Sequence, residues 1–278
     1  MATAADHAFP AFGEAADDAA LRGELEVVGR VTSSSNVALL VRLHAEDDAY
    51  AIYKPVRGEQ PLWDFPEGTL AGREVAAHVV SEAGGWHLVP PTLLRDGPLG
   101  SGSVQRWIGD PFAPLPDDQV VDLVPAGTIP AGWLPTFSAE TPTGEPVTVV
   151  HADTDDVRSL AVLDAVINNS DRKGSHCLRD PAGRLWAIDH GVTFHSTPKL
   201  RTVLWGWAGD PLTDADLGRL ERLQTSFDDP GTRVLGVLER LLPEDDVLAL
   251  RERVTRLLRV RRHPRPNPGW PAVPWPPL

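Results

Sequence analysis

Three short β-rich runs, ELEVVGRV, VALLVRL and AYAIYKPV, fill residues 24–56 with only TSSSN and the charged HAEDD between them. Connections this short cannot carry the crossover that parallel strands need, so the runs must pair as an antiparallel meander. A Pro- and Gly-rich loop, RGEQPLWDFPEGT, follows. The segment LAGREVAAHVVSEAGG then sets Val75, Ala76, Val79, Val80 and Ala83 on one helical face and closes at Gly84 and Gly85. Two more apolar runs, WHLVPPTLL and SGSVQRWIGDPF, read as strands. The first 108 residues are therefore expected to form a small antiparallel sheet with one helix.

The pattern changes after Gly109. Residues 109–150 carry Pro and Gly throughout and are expected to be a weakly ordered hinge and insertion. Asp153 and Thr154 can cap a helix with Asp155 and Asp156 in its first turn. Its apolar face is Val157, Leu160, Ala161, Val166 and Ile167, Asp164 is a polar exception, and it ends at Asn168 and Asn169. CLRDPAGRLWAID is a hairpin signal, and a centred Asp-Pro-Ala-Gly turn would pair Arg179 with Arg184 and Cys177 with Trp186. Residues 213–262 return to helical periodicity with at least two helices, and 263–278 are a Pro/Trp tail that fits neither helix nor sheet interior. Such a tail is either a polyproline ligand or, as we favour, a segment packed on its own domain. The expected fold class is α+β and two-lobed. A peripheral segment (1–22) precedes a small antiparallel β-rich N-lobe (23–108), a mainly α C-lobe (109–262) and the tail (263–278).

Charge and cysteine content narrow the function. Lys plus Arg number 26 against 39 Asp plus Glu, and a net charge of −13 argues against nucleic acid or anionic lipid as the main partner. No apolar run approaches a membrane span, so no stable membrane anchor is expected. The single cysteine, Cys177, excludes an intramolecular disulfide and a multi-thiolate zinc site. The amino terminus lacks the basic and apolar regions of a secretory signal, which points to the cytoplasm. Oligomeric state is left open. Lysine occurs only at 54, 173 and 199, so each position is informative.

The strongest chemical constellation is NNSDRKGSHCLRDPAGRLWAIDHG, residues 168–191. Asp171 follows the helix, His176 starts the first hairpin strand and Asp189 follows the apolar end of the second. Two carboxylates and a third ligand at one hairpin edge suit metal-assisted phosphoryl transfer, one on the cation and one on the attacking hydroxyl. Ordinary turn chemistry is the alternative for these residues taken alone. Lys54 ends an apolar β run, and Glu74 lies about 20 residues on, in the first turn of the following helix, where it can orient a phosphate-binding lysine. A strand-edge lysine with its head in water is the plainer reading of Lys54 by itself. Ser33, Ser34 and Ser35 can line a phosphate between the first two strands, or simply form a Ser-rich turn. Gln105, Arg106 and Trp107 lie in the strand leading out of the first lobe, whose backbone can read an adenine edge. The order of these parts is that of a protein-kinase-like fold.

VTSSSN, YKPVRGEQP, SEAGG, NNSDRKGSH and IDHGVTF together resemble the phosphatidylinositol 3-/4-kinase-like superfamily, most closely the type II phosphatidylinositol 4-kinases and an uncharacterised actinobacterial family. The resemblance covers about residues 25–210. It implies ATP and Mg2+ or Mn2+ as cofactors, Asp171 as the catalytic-loop aspartate, Asp189 as the metal aspartate and Lys54 as the ATP-phosphate lysine. His176 stands where the family has a metal-binding asparagine, and imidazole suits Mn2+ better than Mg2+. His190 stands where type II enzymes have Asn. The palmitoylated cysteine stretch of the eukaryotic enzymes is absent, so a lipid substrate is not carried over.

The expected function is an ATP-dependent phosphotransferase acting on a protein or small-molecule hydroxyl, with Asp171, Lys54 and Glu74 catalytic and Asp189 and His176 on the metal. Alternatives are a nucleotide-binding pseudokinase with a regulatory role, or adenylyl transfer on the same fold. A metallohydrolase built from His151, His176, Asp189, His190 and His195 is a more distant reading.

Overall fold

The meander is present: β1 (Glu24–Arg30), β2 (Leu39–His44) and β3 (Ala49–Pro55) pair antiparallel, in a computed structural model that describes residues 20–31, 36–44, 49–115 and 119–278. Helix α1 (Leu70–Gly84), β4 (Thr92–Gly97) and β5 (Gly100–Arg106) follow, and the five strands form one antiparallel sheet in the order β1-β2-β3-β5-β4. Alternation decides which side of β3 does what. Ala51 and Tyr53 are fully buried with Leu21, Val41, Leu43 and Val104 in a small core, while Ile52 and Lys54 point to the other face. The run WHLVPPTLL becomes strand only from Thr92, because Pro90 and Pro91 cannot donate to a ladder.

Residues 109–150 are more ordered than their composition suggests. Strands β6 (Val121–Pro125), β7 (Trp133–Glu140) and β8 (Pro146–Ala152) form a second antiparallel sheet, ordered β6-β8-β7. The glycines that suggest disorder sit in its turns, with Gly127, Gly132 and Gly144 all at positive φ, and Pro135 falls where the β7–β8 register shifts.

Helix α2 (Asp155–Ile167) starts after Thr154 as expected, but without a side-chain cap, since the Thr154 hydroxyl donates to Asp156 and Asp153 accepts from Trp207 Nε1; it closes on Asn168 in the left-handed region at φ 52°. The hairpin β9 (Cys177–Arg179) and β10 (Leu185–Ala187) has a register one residue off the expected one: Arg179 faces Leu185 and Cys177 faces Ala187. The cause is Asp180. Its carboxylate accepts from the backbone N–H of both Ala182 and Arg184, which draws Arg184 into a five-residue loop.

The C-terminal part is helical, with α3 (Asp214–Asp228), α4 (Val234–Leu241) and α5 (Glu244–Val260) packed on α2 and on α1. Thr213 caps α3, accepting from Asp216 N–H and donating to the Asp216 carboxylate. Thr213→Ala is expected to cost about 1 kcal/mol, read as a lower urea midpoint with unchanged slope. The tail does pack on its own domain. Ala272 O accepts from Thr202 N–H and Trp205 Nε1, and Pro277 O accepts from Gly174 N–H at 2.8 Å.

Helix α1 belongs energetically to the C-terminal helices. It is buried on nearly every side, and its hydrophobic residues join the same core as α2 to α5. Arg73, fully buried, donates to Asp246 Oδ2 at 2.7 Å and to Thr193 O at 2.6 Å. Its amino end is capped from afar, with the Glu59 carboxylate accepting from Leu70 and Ala71 N–H.

Candidate active site

A cavity of about 480 Å³ opens between the five-stranded sheet and the β9–β10 hairpin. Val31 and Ile52 line it from the sheet, Gln105, Arg106 and Trp107 from the connecting strand, and His176, Leu178, Ile188 and Asp189 from the hairpin. Lys54 stands in its wall because it shares the open face of β3 with Ile52.

Lys54 Nζ donates to Glu74 Oε1 at 2.5 Å and to Asp189 Oδ1 at 2.8 Å. Three elements far apart in sequence therefore converge on one ammonium. Burial pulls the Lys54 pKa down, but Asp189 and Glu74 outweigh it and hold the group above the ordinary lysine value. Lys54 in turn holds Asp189 well below the usual carboxylate range against the opposing effect of burial, and His176 adds to the lowering. The other oxygen of Glu74, Oε2, accepts from His190 N–H at 2.9 Å, so one carboxylate fixes both the lysine and the backbone beside Asp189. Glu74 lies in the second turn of α1, not the first, since the helix starts at Leu70. Asp189 adopts φ 60°, a left-handed conformation uncommon for a side-chain-bearing residue and tolerated best by Asn and Asp.

The preceding loop is held by a buried ion pair. Asp164, the polar exception on α2, receives Arg172 Nε at 2.9 Å with both side chains fully buried. Arg172 also donates to the carbonyls of His176 and Ile188 and contacts His190 Nε2 at 2.8 Å, tying the Asp171 loop to the strand that ends at Asp189. Asn169 Oδ1 accepts from Asp171 N–H, which fixes the backbone under that carboxylate. Asp171 itself is partly exposed and 3.1 Å from Lys173 Nζ. Burial raises its pKa, Lys173 opposes the rise and the Asp189 charge adds to it.

His176 Nε2 lies 3.3 Å from Asp189 Oδ2. Burial lowers the imidazole to about 4, overriding the Asp189 attraction, so it is neutral at pH 7, and its Nδ1 is buried without a partner among the described residues. A neutral imidazole beside a half-exposed carboxylate is a fitting donor pair for a divalent cation that takes its other ligands from phosphate and water. Among the described residues no three His, Cys, Asp or Glu side chains gather as a protein-only metal site requires. The five-residue metallohydrolase set is accordingly not assembled. His151 is fully buried and engaged on both ring nitrogens, by Ala152 O and Gly206 N–H, and His195 Nδ1 accepts from Thr197 N–H.

Ser33, Ser34 and Ser35 lie outside the described residues. Gln105 points its amide at Thr92 Oγ1, and Trp107 N–H bonds back to Tyr50 O, so this connection is anchored beside the cavity. Neither Arg172 nor Lys173 is among the site residues expected from the sequence. Lys173 has a signal, as one of three lysines and two residues from Asp171, whereas the partner of Arg172 is visible only in space. The third lysine, Lys199, bonds Asp64 at 2.6 Å and packs against the rings of Trp63 and Phe65. No described helix is long and apolar enough to cross a membrane.

Comparison with solved structures finds partial similarity to hydra Fam20 with sugar (TM-score 0.48, 13% identity, 86% of this chain and 85% of that one). It also finds the Golgi casein kinase with Mn/ADP bound (0.47, 13%, 86% and 72%) and the Helicobacter pylori proinflammatory kinase CtkA (0.43, 11%, 87% and 93%). No family model matches the sequence. Over 260 residues, 91% of this chain and 92% of the relative, the sequence is 43% identical to protein Rv2133c of Mycobacterium tuberculosis, and the chain belongs to the same family as that protein.

Proposed function

We propose that the cleft is the site of an ATP-dependent phosphotransferase of the phosphatidylinositol 3-/4-kinase-like class, acting on a protein or small-molecule hydroxyl. The observation that carries this reading is Lys54, held at once by Glu74 and Asp189 in the wall of a 480 Å³ cavity. The sequence motifs YKPVRGEQP, NNSDRKGSH and IDHGVTF support the finer class, since each contributes a residue to this arrangement.

In this reading the apolar walls, Val31, Ile52 and Ile188, receive the base, beside the backbone of Gln105 to Trp107. Lys54 neutralises phosphate oxygens, and Glu74 keeps its ammonium in place. Asp189 and His176 would hold Mg2+ or Mn2+, which supplies charge neutralisation when bound. Asp171 orients the acceptor hydroxyl and takes its proton as the oxygen forms a bond to the γ-phosphorus and the bond to ADP breaks. A carboxylate with a raised pKa is the better proton acceptor, and Lys173 opposes the rise.

Formation of ADP from ATP with Mg2+ or Mn2+, followed against pH, tests the assignment. The rate should fall as pH drops through a limb above the ordinary aspartate value of about 3.9, because protonation removes the base. Asp171→Asn should lower the rate by about 100-fold or more and erase the limb. Full activity in that variant would refute the role.

A nucleotide-binding regulatory protein is the second reading, favoured by the absence, among the described residues, of three His, Cys, Asp or Glu side chains gathered at Asp189. It predicts ATP binding by calorimetry with no ADP formed under any metal.

A further inference from the structure

A second cavity, about 740 Å³, lies between α5 and the start of the tail and shares no lining residue with the cleft. This volume is that of a small-molecule pocket. Its chemistry is at odds with the rest of the molecule. Arg253, Arg256, Arg262 and Arg265 line it and no Asp or Glu does, in a chain of net charge −13.

None of the four arginines is paired with a carboxylate among the described residues. Arg253 donates to the carbonyls of Val166, His195 and Phe194, which fix its guanidinium, and burial lowers its pKa to about 10 against the opposing charges of Asp246 and Glu252, neither of which bonds it or lines the cavity, so it stays charged at pH 7. Arg262 bonds Gly209 O at 2.7 Å. Arg256 and Arg265 make no hydrogen bond or ion pair among the described residues. A Cβ at residue 209 would collide with the Arg265 guanidinium, so the glycine leaves the space that seats it. His263, also in the lining and 5% exposed, has an unpartnered Nε2. Trp205 and Leu257 add apolar wall.

Four guanidiniums around a concave space repel one another, and an anion in the middle relieves that repulsion while supplying the missing acceptors. We propose that this cavity binds a small soluble polyanion, a phosphate-bearing metabolite whose charged groups are held by the arginines and whose body rests against Trp205 and Leu257. A concave pocket roofed by the tail suits a free molecule better than a headgroup embedded in a bilayer. The site is independent of the reaction in the cleft, and its test reads binding, not turnover.

Calorimetric titration with sodium tripolyphosphate is the direct experiment, run on the wild type, on Arg256→Gln/Arg265→Gln and on Lys54→Ala. Both substituted arginines are exposed, so the double variant should keep the wild-type thermal midpoint, and Arg265→Gln alone provides a milder second variant. The expected result is one-site binding to the wild type, weakened about tenfold or more in the double variant, less in the single one, and unchanged in Lys54→Ala. The proposal is overturned if the wild type gives no binding, if affinity survives the double substitution, or if Lys54→Ala abolishes it, which would place the probe in the cleft. Flotation with phosphatidylcholine vesicles carrying a phosphoinositide separates the sources of phosphate. Little flotation is expected, and arginine-dependent flotation without tripolyphosphate binding would overturn the soluble assignment.

Discussion

Asp189→Ala is expected to abolish metal-dependent ATP turnover, lowering kcat/KM by about 1,000-fold or more, while leaving the protein folded. The two effects separate because of where the carboxylate sits. Its side chain lines the cavity and is half-exposed, so its ion pair with Lys54 contributes at most about 1 kcal/mol to stability. In the proposed reaction its contribution is larger, since its two oxygens, beside Lys54 and His176, would hold the cation that neutralises the phosphates. The variant should also leave Lys54 paired to Glu74 alone, with the lysine still in place. ADP formation together with a denaturation curve checks both halves. Turnover near the wild-type rate would remove Asp189 from the mechanism.

The largest stability effect should come from Arg172→Met. Arg172 and Asp164 are both fully buried, and removing the guanidinium leaves a carboxylate in the core with, among the described residues, only the Asn169 amide to satisfy it. Breaking such a pair from one side costs about 3–5 kcal/mol. The carbonyls of His176 and Ile188 would lose a donor at the same time, loosening the link between the Asp171 loop and Asp189. Urea denaturation should show this loss, and Asp164→Leu in the same chain should recover part of it by removing the stranded charge. A midpoint unchanged by Arg172→Met would show that the pair does not support the loop.

Much of this is legible in the sequence, for identifiable reasons. The meander, α1 and α2 announce themselves through short-range signals: alternation in AYAIYKP, the Gly84–Gly85 stop and the Asp155–Asp156 start. The α+β architecture, a β-rich first part and a helical last part, follows from them. Lys54, Glu74, His176 and Asp189 meet in space because strand alternation turns Lys54 to the cavity, the residues flanking the β9–β10 hairpin bring His176 and Asp189 to it, and helix α1 brings Glu74 to the lysine. Other features have no local signal. The β6-β8-β7 sheet is disguised because its Pro and Gly residues mark turns and a register shift, not absence of strands. The hairpin slips by one residue because a single carboxylate, Asp180, outcompetes the centred turn. Arg73 meets Asp246 across 173 residues of sequence, and no periodicity reports such a pair. The helix carrying Glu74 is in this way fastened to the C-terminal core, which holds Glu74 in place for the lysine.

Transfer of the γ-phosphoryl group of ATP is the reaction proposed for the cleft. Its most direct test supplies ATP labelled at the α- or the γ-phosphate, in parallel, to the protein with Mg2+ or Mn2+, beside Asp171→Ala and Asp189→Ala. Label leaving the γ-position, and lost in both variants, is the predicted result. Transfer of the α-label, or γ-transfer that persists in Asp189→Ala, would contradict it.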